Sequence, residues 1–161
     1  VKEIEGVGAV KVIPVWNGGG TVKLVVLDDS YNSASDILIK NVQNAVGHEG
    51  EGIAPIGHIV TTVAAENIEV TINTTITLQE GFEIGVVKTS IEKAIMDYFT
   101  EIKKEWENST TLIVRIAHIE SRILDVTGIV DVTDTTINAS TSNLILSNEQ
   151  IPLLSEVVLN A

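Results

Sequence analysis

Val70, Ile72, Thr74, Ile76 and Leu78 alternate with polar neighbours across Glu69–Gln79. That two-residue period is the signature of a strand with one face buried. Shorter runs at Ala9–Val15, Thr21–Leu27 and His58–Ala65 read as strands as well, and so do Gly128–Ile137, Ser142–Leu146 and Pro152–Leu159. Helical spacing governs three other stretches. Leu38, Val42, Ala45 and Val46 fall on one stripe, with Ser33 and Asp36 placed to cap the helix and Gly47 to end it. From Val86 to Trp106 the residues Val87, Ile91, Ala94, Ile95, Tyr98, Phe99, Ile102 and Trp106 share a face, while Lys88, Glu92, Lys93, Asp97, Lys103 and Lys104 lie off it. A third helix is predicted at about Val114–Val126, with Ile116, Ile119, Ile123 and Val126 inward and Gly128 closing it.

Turn residues divide these elements into two groups. Asn17-Gly18-Gly19-Gly20 joins the first two strands as a tight reversal, and the glycines and Pro55 of Gly47–Gly57 make a loop. The chain therefore reads as α+β, in two small α/β-sandwich modules. Residues 1–65 give β-β-α-β, and residues 66–161 give β-α-α-β-β-β around the long helix. The pair GAVKVIPVWNGGGTVKLVV and GIVDVTDTTINASTSNLIL would each be a turn-linked strand pair.

Composition narrows what such a fold can do. Hydrophobic residues make up 44% of the 161 residues but aromatics only 4%, so Ile, Val, Leu and Ala must build the core. No apolar run approaches the ~20 residues that span a bilayer, and the first residues carry no basic-then-apolar leader. The start at Val1 suggests a piece of a longer protein. Ten basic residues against 22 acidic ones give a charge of −12, which repels a phosphate backbone and argues against nucleic acid as partner.

The chemistry-bearing patterns fail one by one. Cysteine is absent, so disulfides and thiolate metal sites are excluded. Gly18-Gly19-Gly20-Thr21 lacks the lysine of a phosphate loop and leads into a strand rather than a helix. His48-Glu49 begins a zinc-protease pattern, but Gly52 stands where its second histidine belongs, and His58 and His118 lie far apart in sequence. Asp28–Ser33 offers alternate oxygen donors, yet Ser33 and Ile39 occupy the positions where a calcium loop needs glycine and glutamate. Asn73, Asn108 and Asn138 stand in glycosylation sequons with nothing else pointing to secretion. No catalytic, metal or cofactor-binding residue is assigned. Trp106 is read as core and Trp16, beside the hairpin tip, as a contact anchor or an edge-packing residue.

Four segments carry a resemblance: the GVG opening at Gly6–Gly8, the P-x-x-x-G-x-G-T-V reversal at Pro14–Val22, GIAPIG at Gly52–Gly57, and the long helix after Gly81. ILDVTGIVDV, Ile123–Val132, adds a helix-to-strand turn. In this order and spacing they resemble the phage baseplate J-like family, from about Gly6 to Leu159. The resemblance implies the C-terminal portion of a structural wedge component of contractile tails, not an enzyme. It implies a place in the virion tail baseplate, assembled in the bacterial host cytoplasm, with other wedge proteins and copies of itself as partners. No cofactor, small-molecule substrate or membrane-spanning segment carries over. Candidate interface residues are Trp16, Asn17, Gly18, Gly19 and Gly20 at the tip, with His48, Glu49 and Glu51 in the following loop. The alternative is a carbohydrate- or surface-binding module, which six aromatic residues equip poorly; a hydrolase is the third reading.

Overall fold

The computed structural model describes residues 1–47, 52, 54 and 57–161, which divide into two compact units. The first comprises Val1–Asn67 with Trp106–Ser109 and Glu149–Ile151. The second comprises Ile68–Glu105, Thr110–Asn148 and Pro152–Ala161. The fold class is α+β, as the sequence predicts.

In the first unit β1 (Val7–Pro14) pairs antiparallel with β2 (Thr21–Asp28), and β2 pairs in parallel with β3 (Ile59–Ala64). A parallel return requires a crossover, which α1 (Asp36–Val46) supplies. Leu38, Val42 and Val46 of α1 pack with Val10, Leu24, Val26 and Val60 of the sheet. Ala45, expected on that stripe, is exposed, so the apolar face is narrower than the periodicity suggested. The helix also starts later than predicted. Ser35 is its N-cap, its hydroxyl accepting the Leu38 N–H at 3.3 Å. Ser33 instead donates its hydroxyl to the Ala65 carbonyl at 2.6 Å. Before it, the Asp28 carboxylate accepts the N–H groups of Ser30 and Asn32 at 3.0 and 2.8 Å, a local turn rather than an ion cage.

The second unit is built on a three-stranded sheet in the order β6-β4-β8, where β4 is Glu66–Leu78, β6 Ile129–Ile137 and β8 Gln150–Asn160. Val70, Ile72, Thr74 and Ile76 are the buried face of β4, as the alternation requires. Buried Thr74 keeps its hydroxyl satisfied by the Thr135 hydroxyl at 2.7 Å and by donating to the Thr133 carbonyl. The long helix α2 runs Ile84–Lys104, and Val87, Ile91, Ile95, Tyr98 and Phe99 are its buried residues. Lys103, assigned to the outer face, is buried as well, its long stem able to lie along apolar neighbours. Ala94 and Ile102 are only half-buried. Trp106 is fully buried but is not part of the helical stripe: the helix stops at Lys104, and a 3-10 turn, Trp106–Asn108, places the indole in the first unit.

Two further departures follow from pairings that local pattern does not encode. A short strand, β5 (Leu112–Val114), precedes α3 (Ile116–Leu124) where the helix was expected to begin. β5 pairs antiparallel with β7 (Leu144–Leu146), so β6 and β7 are not the hairpin the sequence suggested. The order in this half is therefore β-α-β-α-β-β-β, with one strand more than predicted.

Tyr98 links α2 to the start of α3, its hydroxyl accepting the Arg115 N–H at 3.0 Å. Burial pushes this hydroxyl above the ordinary tyrosine range, opposed by that backbone hydrogen bond. Because the folded value is raised, the contribution is complete below the unfolded value of about 10 and is lost as pH rises through the folded one. Tyr98→Phe is expected to destabilise by about 1–2 kcal/mol at neutral pH by leaving the Arg115 amide unpaired. Urea titrations near neutrality and above pH ~10 check both points, since the variant should lose less stability in alkali than wild type.

Candidate assembly surface

The reversal between β1 and β2 is solvent-exposed from Pro14 to Gly20. Val15 and Thr21 close it, the Val15 N–H donating to the Thr21 carbonyl at 2.7 Å. Inside, the Thr21 hydroxyl donates to the Gly18 carbonyl at 2.7 Å and accepts the Asn17 N–H at 3.0 Å. Gly18 and Gly20 have φ of +93° and +77°, values a side chain would strain. Thus Asn17, Gly18 and Gly20 shape the tip, and Thr21, which composition alone did not single out, pins it.

The tip leaves apolar groups in solvent. Val12 is 61% exposed, Val15 62% and Trp16 40%. Lys23 stands over the Trp16 ring, 4.6 Å from its centroid, and its ammonium also meets the Glu149 carboxylate at 3.1 Å. The indole is thereby held in one place by a cation on its face while its remaining surface stays open, a preorganised contact residue. By contrast Lys11, buried 4.4 Å from the centroid of the Trp106 ring, has its pKa lowered by desolvation and belongs to the interior. Gly19 would meet nothing within 4 Å if it carried a Cβ, so the outer rim of the tip is open space.

His48, Glu49 and Glu51 lie outside the described residues. Around them, Gly47 ends α1 by donating its N–H to the Gln43 carbonyl, and Ala54 returns to the core by donating to the Val46 carbonyl at 3.0 Å. His58 and His118 are both exposed, and His118 borders a small surface hollow with Ser121 and Arg122. Among the described residues no three or more His, Asp or Glu side chains are grouped as metal ligands. No described helix is long and apolar enough to cross a membrane.

Comparison with known proteins gives a consistent result. Residues 1–64 match the profile of the baseplate J-like central domain, and residues 70–160 match that of the baseplate J-like protein C-terminal domain. Two proteins of Bacillus subtilis (strain 168) align over 97% of this chain: the uncharacterized protein YqbT at 39% identity and the phage-like element PBSX protein XkdT at 35%. The chain spans 44% of the length of each. The cryo-EM structure of the anti-feeding prophage (AFP) baseplate contains a chain with the same fold, at TM-score 0.58 and 9% identity, over 97% of this chain and 34% of that one. Residues 1–64 and 70–160 are thus accounted for by the central and the C-terminal domain of one family, and the chain belongs to the baseplate J-like family.

Proposed function

We propose that this chain is a structural part of a phage or phage-like tail baseplate and acts through protein–protein contacts rather than catalysis. The observation that carries this reading is the match to baseplate J-like domains along nearly the whole chain. The surface fits it, because the hairpin tip offers a fixed aromatic anchor and apolar neighbours instead of convergent polar groups. Its partners are other baseplate proteins and copies of the same protein, and its place is the tail baseplate, put together in the host cytoplasm. Head-to-tail interfaces between such parts close into a ring when the rotation between neighbours closes. The tip residues Trp16–Gly20, together with His48, Glu49 and Glu51, are the proposed contact residues.

Competition tests this. Excess chain added to a tail-assembly reaction should lower the yield of complete baseplates, and Trp16→Ala should weaken the inhibition while leaving the unfolding midpoint of the chain intact. Undiminished yield at saturating chain, in a reaction that still requires the intact parent protein, would remove the assembly contacts from these two domains.

A further inference from the structure

The two three-stranded sheets have four outer strands, and three of them carry features that resist pairing. In β1 the register slips between Val7 and Ala9, leaving Gly8 as an extra residue, and the strand ends at Pro14. On β3, the side chain of Gln43 takes the place of a neighbouring strand. Its amide accepts the Thr62 N–H at 2.8 Å and donates to the Val60 carbonyl at 3.0 Å. The edge strand β6 slips register twice against β4, and Asp134 within it has φ of +55°.

The fourth outer strand is β8; its one proline, Pro152, stands near its start, and Leu153–Asn160 continue the edge without another. Beside it runs a groove of about 230 Å³ lined by Glu92 and Met96 of α2 and by Leu154, Ser155, Glu156 and Val157 of β8. Four consecutive strand residues line it, although alternate side chains point to opposite faces. The groove therefore follows the strand's backbone along its edge, with a helix as the opposite wall. A strand edge flanked by a helix is the geometry that accepts an added peptide strand. Met96 is half exposed and supplies apolar surface, and Glu92 and Glu156 put carboxylates along the groove. On the same helix Lys88 lies 3.9 Å from Glu92, and Lys93 is engaged with Asp97 at 2.6 Å.

We propose that this groove binds an extended segment of another protein, with alternating apolar and Lys or Arg side chains, as an added strand on β8. Charge selects this occupant. A second copy would bring its own Glu92 and Glu156 to a symmetric β8 pairing, setting like charges against each other at this edge. A basic segment meets both carboxylates while its backbone fills the open edge. The site is separate from the hairpin tip and does not depend on it.

The probe is a fluorescent peptide of about eight alternating lysine and valine residues, a common strand length, titrated into the chain at near-physiological salt. Binding should slow amide hydrogen exchange at Leu153–Val157. Glu156→Lys should weaken it roughly tenfold, and so should N-methylation of every peptide amide, which keeps all charges but removes the strand donors. An N-methylated peptide binding as well as the parent would reduce the effect to charge attraction and overturn the proposal. Protection appearing at Val10–Ile13 instead, or protection of β8 by self-association without peptide, would overturn it equally. Because the readout is peptide binding alone, its failure leaves the assembly competition to stand or fall by itself.

Discussion

Ile95→Asp is expected to move the chemical denaturation midpoint far below wild type, while Glu92→Ala stays close to it. Ile95 is at the centre of α2 and fully buried among the apolar residues of that helix face. A carboxyl there either ionises without a partner or is held protonated at a large desolvation penalty, and the lost packing of the isoleucine adds to it. The combined effect is about 3–5 kcal/mol, comparable to much of a small domain's stability. Glu92 lies three residues earlier on a half-exposed position, 3.9 Å from Lys88, where an ion pair one turn away contributes little. Its removal should fall within about 0.5 kcal/mol. Parallel urea titrations of both variants decide the matter; equal midpoints would mean that the buried face of α2 is wrongly placed.

That face was legible in the sequence because α2 is long. Over 21 residues a helical period repeats often enough to identify Val87, Ile91, Ile95, Tyr98 and Phe99. The alternation in β4 was equally plain over its 13 residues. Where the pattern was short, it failed. Leu112–Val114 offers only three residues, too few to show any period, so the sequence predicts no strand there and begins the next helix at Val114. The pairing of β7 with β5 rather than β6 is set by contacts distant in sequence, which turn chemistry at Asn138–Ser142 could not reveal. Trp106 shows the same limit from another side: its distance from Ile102 suited the helical stripe, but the chain leaves the helix before reaching it. At the candidate surface the glycine-rich reversal was readable from composition, whereas the Lys23 contact that fixes Trp16 was not. Lys23 and Trp16 meet only because β1 and β2 fold back on each other.

Gly8→Ala is expected to unfold or strongly destabilise the first unit, while Gly19→Ala in the neighbouring reversal should be almost silent. Both are glycines in segments that the family resemblance rests on, and physical chemistry separates them. Gly8 is the extra residue at the register slip between Val7 and Ala9, opposite Asp28. A Cβ at Gly8 would overlap the Asp28 carbonyl oxygen, lie 2.9 Å from its carbonyl carbon and 3.0 Å from the Asp29 Cα. These are backbone atoms of a turn already fixed by the Asp28 side chain, so no rotamer change relieves the clash. Relief requires β1 to move away from β2, which loosens buried Ala9 and Val10 and costs on the order of 1–3 kcal/mol. Gly19 has open space at its Cβ position, and its backbone is not in the left-handed region. There an alanine restricts the unfolded chain more than the folded one and shifts stability by about 0.5 kcal/mol or less, in the favourable direction. Thermal unfolding of the two variants beside wild type measures the contrast. A Gly8→Ala midpoint within error of wild type would show that the bulge opposite Asp28 is free to relax, and that the GVG opening owes nothing to this close approach.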